Sequence, residues 1–74
     1  MTKIPTDLSG RSLVRALEKV GFTVKRQRGS HIILRRIDPP ARVVVPDHKA
    51  LRVGTLRSIL SSAGMSVEDL LKLL

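Results

Sequence analysis

Two histidines, nine arginines, five lysines and no cysteine set the chemistry available to this chain. Without cysteine there is neither a disulfide framework nor a thiolate zinc site. A metal would have to use His31 and His48 with Asp38 or Asp47, at spacings that match no helical or loop metal motif, so no metal is expected. The serines lack a G-x-S-x-G elbow. Glycines 10, 21, 29, 54 and 64 form no phosphate loop or dinucleotide fingerprint and read as caps and turns, so no cofactor is expected. What remains is His31 in a basic field, with Lys25, Arg26, Arg28 and Ser30 before it and Arg35 after it. Such a set suits cleavage of RNA, whose 2′-hydroxyl is an internal nucleophile. That reaction needs a base for the hydroxyl proton, an acid for the leaving 5′-oxygen, and cations around the phosphorane. Imidazole, with an ordinary pKa near 6.5, serves as either acid or base near neutrality, and arginine and lysine supply the charge. Residue type alone leaves a second reading open, in which His31 is simply a polar residue opening a strand.

Charge points the same way. The 74 residues carry a formal net charge of +8, and nine of the basic residues fall between Lys25 and Arg57 against only Asp38 and Asp47. A pI near 11.5 with clustered arginine is the electrostatic footprint of a nucleic-acid binder. The plainer alternatives are a solvated surface or an anionic membrane, and for the latter no basic amphipathic helix with large apolar residues is present. Phe22 is the single aromatic, so stacking platforms for bases are lacking and phosphate and sugar contacts must dominate. No apolar run approaches the roughly 18 residues of a membrane helix. The segment MTKIPTDLSG has no signal-peptide core, and a cytoplasmic location is expected.

The elements that must position these groups follow from periodicity. Residues 1–8 read as a loosely ordered lead-in. Ser9 is a good N-cap, Leu13, Val14, Leu17 and Val20 recur at helical spacing, and Gly21 suits a left-handed C-terminus, which predicts a helix over about 10–20. Residues 22–28 begin in a β-like way, Gly29-Ser30 supplies a turn, and 31–37 is a β-branched strand. Asp38-Pro39-Pro40 forces a turn before a third strand over 41–45, closed by Pro46. Ile32 and Leu34 share one side of strand two, Ile33 and Ile37 the other, and the pattern does not say which side is buried. Helical period returns from Gly54 and stops at Gly64; Ser66 and Asp69 form a capping box for a short last helix over 67–74. Val67, Leu70, Leu71 and Leu74 would pack back on the sheet or meet a partner. The result is a single α+β domain over 1–74 with its ordered core over about 9–74. It has α-β-β-β-α order, a three-stranded antiparallel sheet with helices on one face, and a short C-terminal helix.

Gly29-Ser30-His31 followed by Ile32-Ile33 and preceded by a helix ending Val20-Gly21-Phe22 resembles the HicA toxin family. Pro46-Asp47-His48, the run Gly54 to Leu60 and Ala63-Gly64 extend the likeness over about residues 9–74. The resemblance implies a double-stranded-RNA-binding-domain-like fold and an mRNA interferase that cuts transcripts without the ribosome. It implies that His31 is catalytic, and that a HicB antitoxin holds the protein inactive. Lys25, Arg26, Arg28, Ser30 and Arg35 are then the expected phosphate contacts. His48 matches a recurrent family position, either capping the loop before helix two or touching phosphate. A non-catalytic RNA-binding module using the same basic face is the rival expectation.

Overall fold

The computed structural model describes residues 3–74, in the order α1 (Gly10–Glu18), β1 (Thr23–Arg28), β2 (His31–Arg36), β3 (Ala41–Pro46), α2 (Val53–Ala63) and α3 (Val67–Leu73). Met1 and Thr2 of the predicted lead-in lie outside the described residues. From Ile4 onward that lead-in is less loose than predicted. Ile4 packs against the core, and the Leu8 carbonyl accepts a 2.8 Å bond from the Leu51 N–H.

Helix α1 starts where its cap requires. The Ser9 hydroxyl accepts from the Ser12 N–H at 3.1 Å, satisfying one of the four orphan donors of a helix N-terminus. Gly10 follows because β3 comes so close that a Cβ there would overlap the Pro46 carbonyl. Its N–H donates to the His48 carbonyl at 2.9 Å, fastening the helix start to the β3 exit. The helix is shorter than predicted, ending at Glu18. Lys19 and Val20 turn back onto the carbonyls three residues earlier, and Gly21, at φ 96°, reverses the chain so that Phe22 donates to Leu17.

The three strands form an antiparallel meander in the order β1-β2-β3. The sheet settles which side of β2 is buried. Ile32 and Leu34 pair with Val45 and Val43, and these four are 0–3% exposed beneath the helices. Leu13 and Leu17 of α1, Leu56, Ile59 and Leu60 of α2 and Leu70 of α3 fill the same layer. Ile37 lies beyond the end of β2, one residue short of the predicted strand, and is 88% exposed. Pro46, predicted to follow β3, is its last residue, at the strand end of an edge strand where a missing N–H costs no ladder bond.

Helix α2 runs into Gly64 at φ 71°, and α3 opens on the reciprocal Ser66–Asp69 box, each bond 3.0 Å. The Ser66 backbone N–H first, and then its side chain, hold the Asp69 carboxyl below its ordinary pKa. Of the predicted α3 stripe, Leu70 is fully buried and Val67 partly so, while Leu71 and Leu74 stay exposed. Among the described residues no helix is long and apolar enough to cross a membrane.

Candidate active site on the open sheet face

Because all helices pack on one side, the alternate residues of each strand face outward. Cross-strand partners share a face, so the register assigns this open side directly. It carries Arg26 and Arg28 from β1, His31, Ile33 and Arg35 from β2, and Arg42, Val44 and Pro46 from β3. None of the three strands contains an aspartate or glutamate. Among the described residues Arg26, Arg28, Arg35 and Arg42 are in no ion pair. Four free guanidinium groups on a face without acids give the sheet a strongly positive potential. Ile33 sits among them, 8% exposed yet outside the core cluster, as expected if the long arginine stems lie over it.

His31 stands at one end of this face, the first residue of β2, with Arg28 opposite it on β1 and Pro46 opposite it on β3. Its side chain is exposed and has no hydrogen-bond partner among the described residues, so both ring nitrogens are open to a substrate. The turn that presents it is a two-residue hairpin loop, Gly29-Ser30. Gly29 has φ 59° while Ser30 does not enter the left-handed region, the type II′ pattern that needs glycine first.

Groups from β1, α1 and the β3 exit lock that turn. The Asp47 N–H donates to the Ser30 carbonyl at 2.6 Å. Gln27 Nε2 donates both to the Gly29 carbonyl, at 3.0 Å, and to Asp47 Oδ2, at 3.1 Å. Arg11, on the first turn of α1, grips both carboxylate oxygens of Asp47, Nε to Oδ1 at 3.2 Å and Nη2 to Oδ2 at 3.0 Å. The hydrogen bonds from Arg11 and then Gln27 hold the Asp47 carboxyl below its ordinary pKa, and Arg11 is raised in return. A two-pronged guanidinium–carboxylate pair fixes orientation as well as distance. Helix α1, the β1–β2 turn and the β3 exit therefore meet behind His31.

The other predicted site residues divide along the sheet. Ser30 is in the turn beside His31, and Arg26 faces Ile33 midway. A bulge at Lys25 sets both Lys25 and Arg26 opposite Ile33. Arg35 is four positions beyond His31, about 13 Å at the usual strand rise, between Thr23 and Arg42. His48 is exposed, and its backbone rather than its ring has the structural role. That carbonyl accepts from Gly10 at the start of α1, not at the loop before α2.

The sequence alone assigns no place in this site to four residues, Asp47 among them although it stands in the Pro46-Asp47-His48 motif. Arg42 could have been found, since it alternates with inward Val43 and Val45. Arg11, Gln27 and Asp47 meet over separations of 20 and 36 residues, for which no local pattern exists. Arg36, by contrast, is structural. It lies 4.6 Å over the Phe22 ring and donates to the carbonyls of Pro39 and Ala63, so the lone aromatic is occupied from within.

The family model described as the HicA toxin of bacterial toxin-antitoxin systems matches residues 10–65, which contain α1, the whole sheet, α2 and the Gly29-Ser30-His31 turn. No curated protein matches the chain.

Proposed function

The chain belongs to the HicA toxin family of bacterial toxin-antitoxin systems, and from that premise we propose that it is an mRNA-cleaving endoribonuclease in the cytoplasm with His31 as its acid-base residue. One observation carries this reading. The single histidine of the three strands is held by a locked turn within an acid-free field of four arginines.

In this reading a single RNA strand lies on the open face, its backbone held by Arg26, Arg28, Arg35 and Arg42. Lys25 and Ser30 add contacts at the two ends. The scissile phosphate sits at His31 and Arg28. The 2′-oxygen bonds to phosphorus as the P–O5′ bond breaks; one nitrogen of His31 takes the 2′-hydroxyl proton or gives one to the departing 5′-oxygen, and water makes the other transfer. Arg28, directly across the strand pair, stabilises the charge that builds on the non-bridging oxygens. The nucleophile comes from the substrate, so the reaction calls for no metal and no small-molecule cofactor. Asp47 and Gln27 are positioning residues that fix the turn carrying His31. His48, exposed just after β3, adds a phosphate contact. Inhibition by a HicB antitoxin follows if that acidic partner covers the His31–Arg28 end of the sheet in competition with RNA.

The test compares wild-type protein with His31→Ala on an RNA and on the same RNA carrying a 2′-deoxy residue at the cut. Wild type should cleave only the all-ribose strand, and the variant neither. A folded His31→Ala protein that cleaves at the normal rate overturns the assignment. One that still arrests growth without cutting RNA favours the non-catalytic binding module instead.

A further inference from the structure

At the end of the sheet opposite His31, a cleft of about 380 Å³ opens between the Lys25 bulge and the β2–β3 turn, lined by Lys25, Arg35, Arg36, Ile37 and Pro40. We infer that this cleft is a non-catalytic nucleotide subsite of the RNA track, holding a phosphate on Lys25 and Arg35 and the adjoining base or sugar against Ile37 and Pro40. The inference rests on the nuclease reading for its substrate and goes beyond it by assigning a second, remote site.

Three observations support it. First, Ile37, just past the end of β2, is 88% exposed, well above the other exposed large apolar side chains Val24, Leu71 and Leu74 at 38–56%, and it stands beside Pro40 in the cleft wall. An apolar surface paired with two cations matches a nucleotide, which has a flat apolar face and an anion one bond system away. Second, the cations are available. Lys25 and Arg35 have no ion-pair partner among the described residues, while Arg36 is already committed to Phe22, Pro39 and Ala63 and serves as the fixed floor. Third, the distance is wrong for a share in the cut. Four residues of extended strand, about 13 Å, separate Arg35 from His31, with side chains standing off the sheet in parallel. With the side chains upright, that spacing matches successive phosphates of one strand rather than a single phosphate, so an RNA touching both ends spans more than one nucleotide. Arg26 and Arg42 lie between or beside them and keep the path positive. The volume falls within the roughly 300–1,000 Å³ of small-ligand clefts.

The experiment measures binding of 2′-O-methyl RNA, which cannot be cut, in two lengths: a dinucleotide and a strand of about ten nucleotides. Arg35→Ala and Ile37→Ser are compared with wild type, each checked for folding by circular dichroism. For the longer strand, Arg35→Ala should lose about tenfold or more in affinity, the scale of one charged contact, and Ile37→Ser about threefold to tenfold. For the dinucleotide both losses should stay within about twofold, because it occupies only the His31 end. Equal loss at both lengths would place Arg35 at the cut itself and overturn the subsite. So would no loss at either length, or weakened antitoxin binding with RNA binding intact. Because no cleavage is read, a protein that binds RNA without cutting it would fail the nuclease test and still pass or fail this one. The Ile37 and Arg35 amide shifts in an NMR titration with the longer 2′-O-methyl strand give a second readout. Movement there together with the Gly29–His31 amides is the expected result, and movement confined to Gly29–His31 the contrary one.

Discussion

The two faces of one sheet, built from alternate residues of the same strands, could hardly differ more. On the helix side Ile32, Leu34, Val43 and Val45 are 0–3% exposed and join α1, α2 and α3 in one core. On the other side the register places His31, Arg26, Arg28, Arg35 and Arg42, with Ile33 and Val44 as the apolar floor between them. A 74-residue chain has too little interior to bury both. Strand alternation resolves this by letting β2 serve stability and chemistry at successive positions. Stability and activity should therefore separate cleanly by side-chain parity, even between neighbours.

The strongest way to break that comparison is to mutate across it. His31→Ala should cost about 10²–10⁴-fold in cleavage, the usual weight of an acid-base group, with a melting temperature close to wild type. Leu34→Ala, three positions on and facing the core, should cost about 2–5 kcal/mol of stability. Its residual folded fraction should keep the wild-type turnover. Urea unfolding and single-turnover cleavage on the same preparations check both. Overlapping effects would mean that the faces are coupled.

Reversing charge on the open face is the next test. Arg28→Glu and Arg42→Glu should each weaken RNA binding and flatten its salt dependence by about 0.7 in log K against log salt per lost phosphate contact. Their stability should change by no more than about 0.5 kcal/mol, as for surface sites. If partner and RNA compete for that end of the sheet as proposed, the same Arg28 change should also weaken antitoxin binding. A ternary complex with RNA still at His31 would contradict this competition.

The smallest effect concerns the lock between the faces. Asp47→Asn should reduce turnover more than it reduces stability, because it loosens the Gly29–Ser30 turn while leaving the core intact. The Asp47 carboxyl lies below its ordinary pKa, chiefly through its bonds from Arg11 and Gln27. A depressed carboxylate contributes stability that is full above the unfolded value, about 3.9, and is lost as pH falls through the lower folded one. The margin of wild type over Asp47→Asn should hold from neutrality to about pH 5 and shrink below about pH 4. Thermal melts across that range read it directly; a margin that grew with acid would reverse the sign and rule out the lock.

Much of this protein is written locally. The Ser9 cap, the Ser66–Asp69 box, the Gly29-Ser30 turn and the left-handed glycines at 21 and 64 each act within three or four residues, and the sequence determines them without help from the rest of the fold. His31 is legible in the sequence as a candidate only through the ordered family motifs around Gly29-Ser30-His31, since residue type alone also suits a polar residue opening a strand. The buried side of β2 is different. Three consecutive apolar residues, Ile32 to Leu34, satisfy either face, so period-two patterning is blind there. Only the docking of the helices over Val43 and Val45 chooses between them, and with that choice Arg42 becomes part of the site and Ile37 is left in the open. The lock on His31 is likewise tertiary. Arg11, Gln27 and Asp47 are ordinary surface residues in sequence, and they acquire a role because α1 begins where β3 ends. Contacts across 20 and 36 residues carry no local signature, since they exist only after the chain has closed on itself.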